Sequence, residues 1–105
     1  MAIKKGNAPK TIPAKLELAG GGETNTLSLT FHNRKPSDFE SRLEELRDSK
    51  EPFLPSLVVY VVKEWETDFS LSIEGVLEME DERPGIANAI IQGFHRVRQV
   101  ELQGN

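Results

Sequence analysis

Apolar and polar residues alternate strictly in two stretches near the start of the chain. Leu16 and Leu18 alternate with Lys15 and Glu17, and Leu27, Leu29 and Phe31 alternate with Thr26, Ser28 and Thr30. A period of two puts each apolar set on one face of a strand. Between them, Ala19 to Asn25 includes Gly20, Gly21 and Gly22, which make a permissive loop. The pattern predicts a β-hairpin over residues 14–31 with one apolar face. A two-stranded hairpin is marginal alone, so that face must lie on helices, or an edge must pair with another chain.

Beyond residue 36 the period changes. Ser37 followed by Glu40 reads as a capping box, with Phe39, Leu43 and Leu46 behind it at helical spacing. Leu54, Leu57, Val58, Val61, Val62 and Trp65 fall at i, i+3, i+4, i+7, i+8 and i+11, a helical stripe. The run Val58-Val59-Tyr60-Val61-Val62 is also rich in strand formers, so a buried strand is the competing reading. The length of the stripe favours helix. A third helix is expected after Ser70 as N-cap, with Ile73, Val76 and Leu77 inward. Glu78 to Glu82 reads as a helix end and a solvated acidic loop. A fourth helix is expected to start at Pro84 and to carry Ile86, Ile90, Phe94 and Val97 inward, with Arg96 and Arg98 near its C-terminus. The fold class is therefore α+β, an N-terminal β-hairpin packed on a small bundle of about four helices.

Composition adds bounds. With 105 residues and 37% apolar content, the chain suits one small domain. The longest apolar run, Leu57 to Val62, is far short of the ~20 residues of a membrane span. Met1 to Lys5 carries no apolar h-region of a secretory signal. The absence of cysteine excludes disulfides, thiolate metal sites and cysteine nucleophiles. Charge is uneven: residues 1–35 carry net +4 and residues 36–105 net −8. Residues 1–13, with Lys4, Lys5, Lys10 and two prolines, read as a flexible basic arm, and residues 14–105 as a single domain. An acidic body argues against nucleic acid as the partner of that domain.

No catalytic constellation emerges. His32 and His95 stand without spaced Asp, Glu or Cys partners, so neither a zinc site nor a catalytic dyad is expected, and both read as surface residues. No serine lies in a Gly-x-Ser-x-Gly elbow, and the triple glycine lacks the Lys-Ser/Thr of a phosphate loop. Glu78, Glu80, Asp81 and Glu82 lack the pattern of a calcium loop. The expectation is a binding or assembly protein without cofactor or metal, and not an enzyme.

The succession Leu27-Ser28-Leu29-Thr30-Phe31-His32, then Val62-Lys63-Glu64-Trp65, Asp68-Phe69-Ser70, Arg83-Pro84-Gly85-Ile86 and Phe94, with Gly104-Asn105 last, resembles the small tail assembly chaperones of long-tailed bacteriophages and prophages. The resemblance runs over residues 14–105. Only Glu66-Thr67 separates Trp65 from Asp68, where that family has a longer loop, and Gln103-Gly104 replaces a basic residue before the last Asn. The resemblance implies a chaperone in the host bacterial cytoplasm, absent from the mature virion. It implies binding to the tape-measure protein, which it keeps soluble, and recruitment of the tail-tube protein, in some members through a frameshift-extended form. Neither nucleic acid nor membrane is implied as a partner. The alternatives are a small head–tail or tail completion protein of the virion and a small regulatory nucleic-acid-binding module. For the partner-binding surface, Val59, Tyr60 and Ile91 are the candidates, since each lies one position off a core stripe and so about 100° around its helix.

Overall fold

The computed structural model describes residues 2–103. Strand β1 (Thr11–Gly20) and strand β2 (Glu23–His32) form the hairpin, from Thr11 opposite His32 to Gly20 opposite Glu23. Gly21 and Gly22 alone make the turn, both at positive φ (60° and 86°), where side-chain-bearing residues are strained. The loop expected over residues 19–25 is thus two residues long. The strand also begins earlier than the alternation suggested, because Ile12 and Pro13 face Phe31 and Thr30. Residues 11–13 belong to β1 rather than to an arm.

Helix α1 (Pro36–Arg47) starts with Lys35 as N-cap and Pro36 in the first turn, and no side chain caps it. The expected capping box on Ser37 is not formed. Proline at the first helical position has no N–H to satisfy and its φ is already helical, so the helix starts before Ser37. Phe39 and Leu46 are buried.

The apolar stretch that follows is divided between both readings of its sequence. Helix α2 (Phe53–Val61) ends at Val62, whose ψ of 126° is extended, and strand β3 (Val62–Trp65) continues from it. The single helix expected through Trp65 is therefore corrected. The cause is the free edge of β2: Phe31 pairs with Val62 and Leu29 with Trp65, across an irregularity at Thr30/Phe31. A β-branched pair, Val61-Val62, can leave the helix at little intrinsic cost, and the ladder gains the backbone partners an edge lacks. Trp65, expected in the core, is half-buried; its indole N–H donates to the Phe69 carbonyl at 3.0 Å. The sheet is antiparallel in the order β1-β2-β3.

Helix α3 (Ile73–Glu82) is capped by Ser72, whose hydroxyl accepts from the Gly75 N–H at 3.1 Å, and not by Ser70. Ser70 instead exchanges a hydrogen bond with the Ser72 hydroxyl at 2.8 Å. Its buried face is Gly75, Val76 and Met79; Leu77, expected inward, is exposed. The acidic run is helical rather than a loop. Helix α4 (Ile86–Arg98) has Gly85 at φ 98° as N-cap, so Pro84 lies just before the helix rather than in it. Glu80 reaches across to accept from the Gly85 and Ala87 N–H groups at 2.8 and 3.2 Å, capping α4 from the neighbouring helix.

The core lies between the inner sheet face and the helices, the first of the two outcomes the hairpin pattern allowed. Leu27, Leu29 and Phe31 are buried from β2, while Leu16 and Leu18 of β1 are half-buried at its margin. Phe94 of α4 sits at its centre, edge-on to Phe31 at 5.5 Å and stacked on Phe39 at 5.6 Å. Helix α4 packs on both α2 and β1.

Candidate functional site

Val59 and Tyr60 sit in the last turns of α2, half-buried against the margin of the core. The Tyr60 carbonyl is freed by the end of the helix. It accepts from Nε and Nη2 of Arg34 at 3.0 and 2.7 Å. The same guanidinium lies over the Tyr60 ring, 4.1 Å from its centroid, and that of Arg42 lies 5.8 Å away. Arg42 turns its other nitrogens to Glu45 and Glu51 at 3.4 and 3.5 Å. Tyr60 therefore presents a ring already covered in part by cations, not a bare apolar surface.

Ile91 does not join them. It is 7% exposed and belongs to the core. Ala87, Ile90, Ile91 and Phe94 are all buried, at i, i+3, i+4 and i+7, so the buried face of α4 is wide enough to take in the residue next to its centre line. In the folded chain Ile91 has almost no surface to offer a partner.

The exposed large apolar residues are others. Leu77 on α3 is 46% exposed and Phe53 at the start of α2 is 39% exposed. Ile3, Val100 and Leu102 are wholly exposed in the segments flanking the elements. Leu77 escaped sequence reasoning because an apolar residue next to Val76 looks like part of the same stripe; the phase is set by Gly75 and Met79.

At the hairpin tip, a cleft of about 500 Å³ opens between the turn and the segment before α4. Leu18, Ile86 and Ala89 give it apolar walls. Arg83 closes one side, with Nε donating to Glu23 at 2.7 Å and Nη1 to Glu82 at 3.1 Å. The Arg83 hydrogen bond, followed by that from Asn25, holds the Glu23 carboxyl below its usual range.

His32 closes β2 and is half-buried; burial first, then the nearby charges of Arg34 and Lys63, push its pKa down. His95 is exposed and lies edge-on to Phe39 at 5.1 Å. The two histidines thus join different surroundings. Among the described residues no three His, Cys, Asp or Glu side chains are grouped as a metal site. No described helix is long and apolar enough to cross a membrane.

The fold and these surfaces define a small α+β domain with a one-sided three-stranded sheet. Comparison with protein-family models, with curated proteins and with solved structures finds no match for the chain.

Proposed function

We propose that this chain is a non-catalytic tail assembly chaperone of a long-tailed bacteriophage or prophage, acting on the tape-measure protein in the host cytoplasm. The observation that carries the reading is where the resembling motifs fall. Leu27 to His32 ends β2, Val62 to Trp65 is β3, Asp68-Phe69-Ser70 leads into α3, and Arg83-Pro84-Gly85 leads into α4. Three of these motifs lie at ends of elements, which keeps the order and spacing of the resemblance compatible with this fold; Val62 to Trp65, a helix end in the family's pattern, is a strand here, and Phe94 lies inside α4.

The physical task suits the molecule. A long, helix-rich tape-measure protein exposes apolar stripes before assembly and aggregates through them. A small chain of net charge −4 that covers such a stripe adds like-charge repulsion between complexes. The exposed Leu77 and Phe53, the half-buried Val59 and the cation-covered Tyr60 are among the apolar residues available for that contact. Modest affinity per copy leaves the complex reversible, while many copies along one chain supply avidity.

Co-expression with a tape-measure protein, a long helical chain sought among the neighbouring genes, tests the reading. The partner is expected to be insoluble alone and soluble with this chain, and the two are expected to co-purify. A partner that stays insoluble with this chain in excess overturns the proposal.

A further inference from the structure

The far end of the sheet from the hairpin turn gathers cations around one asparagine. Asn33 follows β2, and its hydrogen-bonding groups hold two other segments, residues 9–10 and the end of α4. Its backbone N–H donates to the Lys10 carbonyl at 2.9 Å, its amide nitrogen donates to the Pro9 carbonyl at 2.7 Å, and its Oδ1 accepts from Arg98 Nε at 3.1 Å. Arg98 also lies over the Phe94 ring at 5.2 Å. Next to Asn33 stand His32 and Arg34, the latter fixed on Tyr60, and then Lys35. Lys63 of β3 is close enough to act on His32.

Arg34, Lys35, Lys63, Arg98 and Lys10 therefore share one end of the molecule. Among the described residues the ion pairs of Lys and Arg involve only Arg42 and Arg83, so none of these five has a carboxylate partner. Lys10, Lys35 and Lys63 are exposed. The two arginines are held on aromatic rings by their Nε and backbone or amide acceptors. Among the described residues neither Nη group of Arg98 nor the Nη1 of Arg34 is engaged in a hydrogen bond, and such forks suit planar carboxylate recognition at reduced entropic cost.

We propose that this Asn33-centred basic end is a docking site for a short acidic segment of a partner polypeptide. The class of partner follows from how the patch is bounded. Glu64 and Glu66 continue the line of β3 beyond Lys63, and Asp38 and Glu40 continue α1 beyond Lys35. A nucleic acid carries charge on every residue and meets those carboxylates on either side of the patch. A run of a few Asp or Glu flanked by neutral residues places its charge on the cations and avoids them. Asn33 acts as a positioning residue, since its side chain holds Arg98 and the Pro9 carbonyl next to Lys10.

The inference is independent of the tape-measure reading and is tested without that protein. A labelled Glu-rich peptide, its Gln counterpart and an oligothymidine of equal charge are titrated with the full chain. The Glu peptide is expected to bind, to weaken about tenfold between about 0.05 and about 0.3 M salt, and to outcompete the oligothymidine. Lys35→Glu with Lys63→Glu, both exposed, is expected to weaken it about tenfold more at unchanged circular dichroism. Asn33→Ala is expected to weaken it about threefold. Equal binding of the Gln peptide, tighter binding of the oligothymidine, or an unchanged Kd in the folded charge-reversal variant overturns the docking site. An unchanged Kd for Asn33→Ala overturns the role given to Asn33.

Discussion

Gly75 and Gly93 both lie on helices and both look like propensity defects, yet their surroundings differ. A Cβ on Gly75 would overlap the Ser70 carbonyl, a backbone atom that the Ser70–Ser72 turn holds in place. A Cβ on Gly93 would meet the branched end of Leu16 at 2.7 Å, the tip of a flexible, half-buried side chain. The first neighbour cannot move without the entry to α3, whereas the second can change rotamer. Gly75→Ala is therefore expected to destabilise by about 1–3 kcal/mol even after the helix-propensity gain. Gly93→Ala is expected to stay within about 1 kcal/mol of wild type, because propensity and crowding oppose each other. Urea midpoints of the two variants decide; equal losses would mean that the Ser70 turn yields as readily as a leucine. Nothing in a linear sequence distinguishes these two glycines, since the clashing partner of one lies in a preceding turn and of the other in a distant strand.

Among the elements, β3 depends most on its surroundings. Its four residues are held by β2 on one side, by the Trp65 indole on the Phe69 carbonyl, and by the Glu66 N–H donating to the Ser28 carbonyl at 2.9 Å. Glu66→Pro removes that last donor and leaves the Ser28 carbonyl without it. The expected loss is about 1–3 kcal/mol in denaturant unfolding. Amide exchange should also rise in β3 while the β1–β2 hairpin keeps its protection. Equal exchange increases in all three strands would show that β3 and the hairpin open as one unit. The helical spacing from Leu54 to Trp65 was a sound local signal as far as Val61. It failed at Val62 because the unpaired edge of β2 is a long-range demand, and β-branched residues answer it as well as they answer a helix. The caps failed in a similar way: three N-termini each moved by two residues from the serine or proline that marked them. Pro36, Ser72 and Gly85 were all in view, but which of two neighbouring candidates starts a helix depends on what the preceding loop packs against.

Over the whole molecule, charge is divided between the two ends of the sheet. Arg34, Lys63 and Arg98 gather around His32 and Asn33 at one end, and Glu23 and Glu82 meet Arg83 near the turn at the other. The stability of the chain should follow the titration of one group at each end. His32 has a lowered pKa in the folded state, so its contribution is present above the ordinary histidine value of 6.5 and is lost as pH falls through the lower folded value. Glu23 is also lowered, so its contribution is present above 4.5 and is lost as pH falls further, through its own folded value. Denaturant midpoints are expected to fall on acidification below pH about 6.5 and again below about 4.5. His32→Gln should flatten the first decline alone. A first decline that persists in that variant assigns it to another group.

Much at this scale was already legible along the chain. The alternation in Leu16–Leu18 and Leu27–Phe31 required a one-sided hairpin, and the spacing of Ile86, Ile90 and Phe94 required a helix with an inward face, since both periods follow from backbone geometry within a few residues. The basic character of the first third could also be counted. The cluster around Asn33 could not, because it joins residues 9–10, 33 and 98 through hydrogen bonds that exist only once the ends of β2 and α4 meet. The same holds for Ile91 and Leu77. Each is one apolar residue beside a stripe, and the helix period leaves its side open by about 100°. The width of the groove that receives the helix settles it: the sheet and α2 enclose α4 on a broad face and bury Ile91, while α3 meets its neighbours along a narrow one and leaves Leu77 in solvent.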